Sequence, residues 1–273
     1  MENLININKK LEHRILKNPL FINNPNKKLK LSDPIVLYND GANWKLIPLN
    51  IFRMYPVIHD VYYEMRNDNA KKNVTTNITI YVCPYTLFLS VYFYNFIPND
   101  KVYNNNLTLL SENNSNMIFI PIINKIYTNE SNINDSQYIR RNEAKIMTLR
   151  NAISMYPDVL FIDANKINII EQLTNNGYMT NDTILFPSLK FTNDFDPKTL
   201  IYIIEYKSKK SNGYKYSIII PKINVVDVAK NGFNTYFNNM IEQIRNKGGL
   251  IYMCYWFAWN SLNDKNTYKL IKL

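Results

Sequence analysis

Most apolar residues of this chain occur in short runs that have the period of a β-strand. The runs at residues 78–83 and 87–93 are rich in β-branched and aromatic side chains, as half-buried strands are. Residues 34–49 contain two such runs around Asn-Asp-Gly, a turn sequence whose glycine tolerates a positive φ, and they predict a hairpin. Residues 117–123 predict a further strand, which Pro121 interrupts. The pattern indicates a chain dominated by strands.

Three other segments have the helical period of three to four residues. The first two predicted helices are residues 143–156, which Pro157 ends, and residues 163–176, which Gly177 follows. The third covers residues 233–247, where a stripe of Phe, Met and Ile is typical of a helix face buried in a core. We expect the first two helices to form a connection between larger strand-rich parts.

The order of these elements occurs twice. Residues 33–90 run from Asp-Pro through a hairpin and a helix-like region to a strand that reaches Cys83. Residues 196–260 repeat this order and reach Cys254, so the chain's two cysteines occupy corresponding positions. Because self-similarity of this kind reflects architecture, we expect an α+β fold, rich in strands, in which an internal duplication forms two related lobes joined by a helical bridge. The expected parts are a basic N-terminal arm (residues 1–30), a first repeat lobe (31–142), the helical bridge (143–177) and a second repeat lobe (178–273).

The composition is that of a globular protein with an unusual bias. Hydrophobic residues make up 46% of the chain and charged residues 20%, which argues against disorder. Asn, Ile, Lys and Tyr are abundant while there are only 6 glycines, as an AT-rich genome would favour; a large DNA virus or an AT-rich microbe would fit. A net charge of +10 could attract nucleic acid to a basic surface. Codon bias toward lysine, however, produces the same charge without such a partner.

The sequence also indicates where in the cell the protein is expected to be located. It has no run of 18 apolar residues that could span a membrane and no recognisable signal peptide. Two cysteines in 273 residues form no disulfide framework, and with only two histidines they are too few for a Cys/His zinc cluster. We therefore expect a cytoplasmic protein, located in a virion or in host cytoplasm if it is viral, without a membrane partner.

Several motifs occur in an order that resembles a known family. They are residues 46–49 (Leu-Ile-Pro-Leu), 59–60 (His-Asp), 83–86 (Cys-Pro-Tyr-Thr), 102–107 (Val-Tyr-Asn-Asn-Asn-Leu), 156–158 (Tyr-Pro-Asp) and 177–187 (Gly-Tyr-Met-Thr-Asn-Asp-Thr-Ile-Leu-Phe-Pro). This order, over about residues 33–260, resembles the bacterial and archaeal DUF3179 family, a domain of unknown function with a Cys-Pro-Leu-Cys-Gly-Ser-Ala motif. The resemblance implies a divergent member of that family and a fold more than a reaction, because the family's biochemical role is not established.

The chain departs from the family pattern where chemistry would be expected. The second cysteine of the family motif is Thr86 here, and the Gly-Ser-Ala that follows is replaced by residues 87–89 (Leu-Phe-Leu). A histidine found in many members falls at Tyr55. If the family uses a paired cysteine or a Cys-His site, this chain has lost half of it.

Cys83 is the leading candidate for a reactive group. It ends a predicted strand and precedes a proline, from where it could reach a cleft between the lobes. A reactive thiol needs a neighbouring base or cation, so the candidate catalytic set is Cys83, His59 as the base and Asp60 as the residue that orients it. The alternative is that Cys83 is a small buried hydrophobic residue, which is the usual place of a free cysteine.

Two further hypotheses stay open beside a thiol-dependent enzyme. The favoured one is a degenerate or non-enzymatic module that binds an unidentified ligand or protein partner between the lobes, with no cofactor identified. Its candidate ligand-binding residues are Tyr55, Tyr85, Tyr103 and Asn104.

The other hypothesis is a nuclease or nucleic-acid-binding protein. Asp158, Glu205 and Lys207 match the residue types of a nuclease site in which two carboxylates hold Mg²⁺ and a lysine assists the attacking water. Asp158 and Glu205 are 47 residues apart with a predicted helix between them, which is unfavourable for that site, so no metal ligands are assigned. The chain also lacks the glycine-rich loops that hold phosphates.

Overall fold

The structure, a computed structural model, describes nine stretches of the chain: residues 4–7, 14–23, 29–64, 74–128, 139–167, 183–207, 215–221, 250–263 and 268–270. The strands in these stretches are β1 (Leu4–Asn6), β2 (Ile15–Lys17), β3 (Phe21–Ile22), β4 (Pro34–Asn39), β5 (Trp44–Pro48), β6 (Val57–Glu64), β7 (Val74–Val82), β8 (Leu89–Tyr92), β9 (Phe96–Tyr103), β10 (Asn106–Ser111), β11 (Asn114–Ile120), β12 (Lys125–Thr128), β13 (Arg141–Asn142), β14 (Ala144–Thr148), β15 (Leu160–Ile162), β16 (Leu200–Lys207), β17 (Lys215–Pro221), β18 (Leu250–Tyr255) and β19 (Tyr268–Leu270). Two α-helices accompany them, α1 (Leu149–Met155) and α2 (Trp256–Asn260), with 3₁₀ turns at Leu49–Arg53, Pro121–Ile123 and Ala164–Lys166.

The expected α+β fold with a helical bridge is wrong. The part of the chain that the structure describes is rich in strands and has two short α-helices. Residues 144–148, expected to be helical, form β14 and pair with β4 along its length. They also fit a two-residue period, since Ala144 and Ile146 pack in one core while Met147 packs in another. Pairing with a neighbouring strand therefore overrides the local helical pattern, as tertiary contacts often do.

Only short helices remain in this region. The helix α1 begins where the Thr148 hydroxyl accepts the N–H of Asn151 and ends two residues before Pro157, as the proline predicts. Residues 164–166, the start of the second predicted helix, form a 3₁₀ turn. The rest of that helix beyond Ile167, and the whole of the third predicted helix at 233–247, lie outside the described residues.

The central sheet connects strands from both halves of the chain. Its order is β19-β17-β16-β18-β8-β7-β6-β2, with β13 also paired to β8. The halves meet at β18 and β8, where Met253 pairs with Leu89. Residues 201–204 are all buried, which is typical of a strand covered on both faces.

A second sheet covers one face of the central sheet. This sheet, called the β9 sheet here, has the antiparallel order β1-β9-β10-β11-β12. Side chains of the central sheet donate to its backbone: the Tyr81 hydroxyl lies 2.6 Å from the carbonyl oxygen of Leu107. The predicted strand at 117–123 is confirmed within β11, which ends where Pro121 begins a 3₁₀ turn.

A third sheet, the β4 sheet, covers the other face and has the order β14-β4-β5-β15-β3. The hairpin predicted at 34–49 is confirmed as β4 and β5. Alternate residues of this hairpin face opposite ways: Val36 and Tyr38 join the main core, while Ile35 and Leu37 join a smaller core under α1. The layers are therefore the β9 sheet, the central sheet, the β4 sheet and α1.

The N-terminal region and the corresponding cysteines belong to this layered arrangement. The described parts of the first 30 residues contain β1, β2 and β3, which belong to the β9 sheet, the central sheet and the β4 sheet, respectively. β7 and β18 run parallel on either side of β8, so Cys83 and Cys254 lie in one row of the central sheet with Phe88 between them. Yet the two predicted repeats pair differently, since β4 lies in an outer sheet and β16 in the central one. The internal duplication stays a prediction.

Candidate functional site

Cys83 lies at the end of β7, between the central sheet and the β9 sheet. The residue is fully buried. Its Sγ accepts the backbone N–H of Leu107 at 3.3 Å and donates to the carbonyl oxygen of Asn105 at 3.8 Å. The second thiol, Cys254, is also buried, and burial, with a smaller effect of Cys83, raises its pKa well above the usual value. Both thiols are free.

The two cysteines are too far apart for a disulfide. Their backbones are separated by β8, and neighbouring strands lie about 4.8 Å apart, so the separation is roughly 10 Å. A disulfide requires Cα atoms within about 7 Å. Although Cys83 and Cys254 lie in one row of the central sheet, they therefore do not form a redox pair.

His59 is not brought to Cys83. In β6 it lies opposite Thr79, four residues before Cys83, which is roughly 13 Å along the strand. Its Nε2 is 2.7 Å from the carbonyl oxygen of Phe96, and because a carbonyl oxygen only accepts, this nitrogen carries the proton. His59 thus connects the central sheet to the β9 sheet.

Asp60 points to the opposite face of β6, as the residue after His59 must in a strand. There it accepts hydrogen bonds from the Tyr38 hydroxyl and the Lys45 ammonium, both at 2.7 Å. The same ammonium lies 2.8 Å from Oδ2 of Asp40. We call these four residues (Tyr38, Asp40, Lys45 and Asp60) the buried ionic cluster; it joins the central sheet to the β4 sheet.

The electrostatics of this cluster favour a charged lysine. Burial opposes the charge on Lys45, but hydrogen bonds to Asp40 and Asp60 outweigh it and raise the pKa of Lys45. Burial, assisted by Asp60, raises the pKa of Tyr38 well above its usual value. The sequence analysis missed this cluster, although a lysine two residues before Ile47, on the inward face of a buried strand, is a signal that could have found it.

Of the predicted ligand-binding residues, Tyr85 and Asn104 lie near each other and are buried beneath one surface segment. Tyr103 is the last residue of β9, next to Asn104. Tyr55 is in the main core and follows the 3₁₀ turn Leu49–Arg53. Asn104 and Asn105 have φ values of 46° and 64° and form the tight turn between β9 and β10, a conformation that asparagine tolerates better than most residues.

This turn binds an irregular segment that crosses the surface, residues 183–195, which we call the strap. The side chain of Asn105 accepts the N–H of Phe186 at 2.9 Å and donates to its carbonyl oxygen at 3.0 Å. Oδ1 of Asn104 accepts the N–H of Leu189 at 2.9 Å. The turn therefore binds the backbone of the strap through side-chain amides.

A second set of side chains binds the strap further along. Oδ1 of Asn260 accepts the N–H of Thr192 at 2.6 Å, and the indole N–H of Trp256 donates to its carbonyl oxygen at 2.9 Å. We call the surface formed by Tyr85, Asn104, Asn105, Trp256 and Asn260 the asparagine groove. The sequence analysis missed three of its five residues, Asn105, Trp256 and Asn260; adjacent asparagines between two predicted strands were the available signal for Asn105.

Two pairs of aromatic side chains also pack between the strap and the groove. The Phe186 ring packs edge-on against Tyr85 with centroids 5.2 Å apart, and Phe195 packs in the same way against Trp256 at 5.0 Å. Burial, with a smaller effect of Cys83, raises the pKa of Tyr85, so its hydroxyl stays protonated.

The residues of the nuclease hypothesis lie in different layers. Asp158 is exposed after α1, next to the β4 sheet, whereas Glu205 is in β16 of the central sheet. Glu205 forms an ion pair with Arg141 at 2.7 Å, in which both side chains are largely buried. Lys207 is the last residue of β16. The described part of the chain contains no cluster of three His, Cys, Asp or Glu side chains that could hold a metal ion.

Comparison with protein-family models, with curated proteins and with solved structures gives no match. The relation to the DUF3179 family therefore stays a prediction from motif order. Among the described residues, no helix combines the length and the apolar character needed to cross a membrane.

Proposed function

We propose that this chain is a non-enzymatic module that binds a protein partner. The observation that carries the proposal is a contrast between two predicted sets of residues. Cys83, His59 and Asp60 are buried, and their hydrogen bonds go to three separate sets of interior groups. Tyr85 and Asn104, by contrast, are buried only beneath the strap, a surface segment whose Leu185 and Leu189 are 50% and 39% exposed.

The interior hydrogen bonds are the kind that build a fold. Cys83 and His59 hold the β9 sheet on the central sheet, and Asp60 holds the β4 sheet on its other face. A nucleophilic thiol needs a nearby base and solvent access, whereas Cys83 has Asn105 and Leu107 as its partners and is fully buried. Structural roles for these groups support a binding function over thiol chemistry.

The geometry at the junction of the two halves directs binding to the surface. Phe88, Cys254 and Trp256 occupy that junction and are each fully buried. A small ligand would have to displace packed side chains there, and closely packed interiors resist such displacement. A partner at the asparagine groove would need only the strap to move, because this segment is what covers Tyr85 and Asn104.

Thiol reactivity tests the proposal. We expect neither Cys83 nor Cys254 of the folded protein to react with Ellman's reagent at pH 8, and both to react after unfolding in guanidinium chloride, because burial excludes the reagent and keeps Cys254 protonated. Cys83→Ala and Cys254→Ala variants assign any reaction to its residue. Rapid modification of one thiol in the folded protein, absent from Cys83→Ala, would overturn the non-enzymatic function.

A further inference from the structure

The strap is bound in the way in which a protein binds a separate peptide. Within the described residues, positions 184–193 make no backbone–backbone hydrogen bond. Their bonded backbone groups instead contact side chains, at Phe186, Pro187, Leu189 and Thr192. At Phe186 and Thr192 both the N–H and the carbonyl oxygen are satisfied in this way.

The contacts of the strap indicate what the groove accepts. Side chains of the groove bind backbone N–H and carbonyl groups, which every segment of chain carries, at Phe186, Leu189 and Thr192. Edge-on contacts of Tyr85 with Phe186 and of Trp256 with Phe195 favour aromatic side chains. The groove therefore selects a segment that has aromatic residues and leaves its backbone groups available.

The segment after the strap is held differently. The backbone N–H groups of Trp256 and Phe257 donate to the carbonyl oxygens of Thr199 and Pro197, at 2.8 and 2.9 Å. The strap itself is more exposed: Leu185 is 50% and Leu189 39% accessible, and both side chains point away from the groove. Release of the strap would therefore leave the residues after it anchored.

We infer that the asparagine groove is a binding site for an extended peptide segment of a protein partner, with aromatic side chains, and that the strap occupies it in the free protein. This inference rests on the proposed binding function. A strap joined to the groove competes at an effective concentration in the millimolar range for a short linkage. The partner segment consequently binds to the fraction of molecules in which the strap is released.

A peptide copy of the strap provides the probe. The probe is a fluorescein-labelled synthetic peptide of residues 183–195 (Thr-Ile-Leu-Phe-Pro-Ser-Leu-Lys-Phe-Thr-Asn-Asp-Phe), added to the full chain and followed by fluorescence anisotropy. Leu189→Pro removes one N–H that binds the groove, and its side chain points outward. Loss of one ordinary hydrogen bond should make the variant bind the probe roughly two- to tenfold more tightly than the wild type.

One control variant and one control probe make the experiment decisive. Leu185→Pro is the matched control, since Leu185 is also exposed and its N–H donates to none of the groove residues; it should bind like the wild type. A second probe carries Phe186→Ala, so the probe loses the contact with Tyr85 while the strap keeps it, and this probe should bind Leu189→Pro about tenfold more weakly. If Leu189→Pro loses the folded circular dichroism spectrum, Phe186→Ala takes its place as the strap variant.

The outcomes separate this inference from the proposed function. Tighter binding by Leu189→Pro than by Leu185→Pro, together with weaker binding of the Phe186→Ala probe, supports the groove as a peptide site. Equal binding by all the proteins, equal binding of the two probes, or no binding to Leu189→Pro overturns it. Such a failure would leave the thiol result unchanged, whereas a reactive Cys83 would overturn the proposed function whatever the peptide does.

Discussion

The Lys45→Met substitution should destabilise the protein severely, because it leaves two buried carboxylates without their cation. The Lys45 ammonium lies 2.8 Å from Asp40 Oδ2 and 2.7 Å from Asp60 Oδ2. Its side chain is 9% exposed, and those of Asp40 and Asp60 are 1% and 10% exposed. Methionine has a similar length and keeps the packing, so the change is mainly one of charge.

The magnitude follows from the burial of the partners. Removing one member of a buried ion pair costs about 3–5 kcal/mol, because the remaining charge is desolvated and uncompensated. Hydrogen bonds from Tyr38 to Asp60, and from the N–H groups of Ala42 and Asn43 to Asp40, remain and reduce this cost. For a chain of this size, that loss corresponds to a fall in Tm of roughly 6–20 °C.

Thermal unfolding monitored by circular dichroism measures the effect, and the chain contains its own control. Lys17 forms an ion pair of similar length, 2.6 Å, with Glu112, but its side chain is 57% exposed. Lys17→Met should therefore cost at most about 1 kcal/mol. Adding Asp60→Asn to Lys45→Met should recover part of the loss, since it removes one uncompensated charge. The reasoning is refuted if Lys45→Met costs no more than Lys17→Met, or if Asp60→Asn destabilises Lys45→Met as much as it does the wild type.

Two further substitutions test other parts of the structure. Gly41→Ala should cost at least about 2 kcal/mol, because φ is 91° and the new Cβ would lie 2.0 Å from the carbonyl oxygen of Tyr63; urea unfolding, with Ala42→Gly in the same turn as control, measures this, and equal stability of the two variants would contradict the geometry. The hydrogen bond from Lys17 is the main cause that lowers the pKa of Glu112, so Lys17→Met should raise that pKa toward its usual value in an NMR titration. The stabilisation by the pair is present above the unfolded pKa of Glu112 and is lost as the pH falls through the lower folded pKa; an unchanged pKa in the variant would exclude Lys17 as the cause.

Local patterns were sufficient for several strands. The hairpin at 34–49 could be predicted because Asn-Asp-Gly is a turn sequence with apolar runs on both sides, and the structure places its glycine at a positive φ. The runs at 78–83 and 87–93 correspond to the end of β7 and to β8. In each case the signal lies within the segment itself.

The helix predicted at 143–156 shows where local patterns fail, since only Leu149–Met155 is helical and Ala144–Thr148 is a strand. Its first residues are compatible with a helical and with a strand period, and the choice depends on β4, more than a hundred residues earlier in the chain. Pairing with that strand satisfies the backbone groups of Ala144–Thr148 between two cores, which a helix at this place could not do.

The candidate site, like the fold, could be predicted from the sequence only in part. Residues 57–64, within the region expected to be helix-like, form β6, and strand alternation there places His59 and Asp60 on opposite faces. The structure was therefore needed to separate the proposed triad of Cys83, His59 and Asp60. The groove was found only in part: Tyr85 and Asn104 were candidates from their motifs, whereas Asn260 is 68 residues from Thr192, whose N–H it binds. No periodicity or motif connects residues at that separation.

The sequence by itself determined several strands, among them the hairpin at 34–49 and the runs at 78–83 and 87–93, and it determined where turns and prolines end them. These properties depend on neighbouring residues in the chain. Only the tertiary structure decided that strands of both halves join one central sheet, that Lys45 lies between two buried carboxylates, and that asparagine side chains bind the strap. Those outcomes depend on contacts between distant segments, whose free energy is set by burial and hydrogen bonding in the folded state and leaves no periodic signal in the sequence.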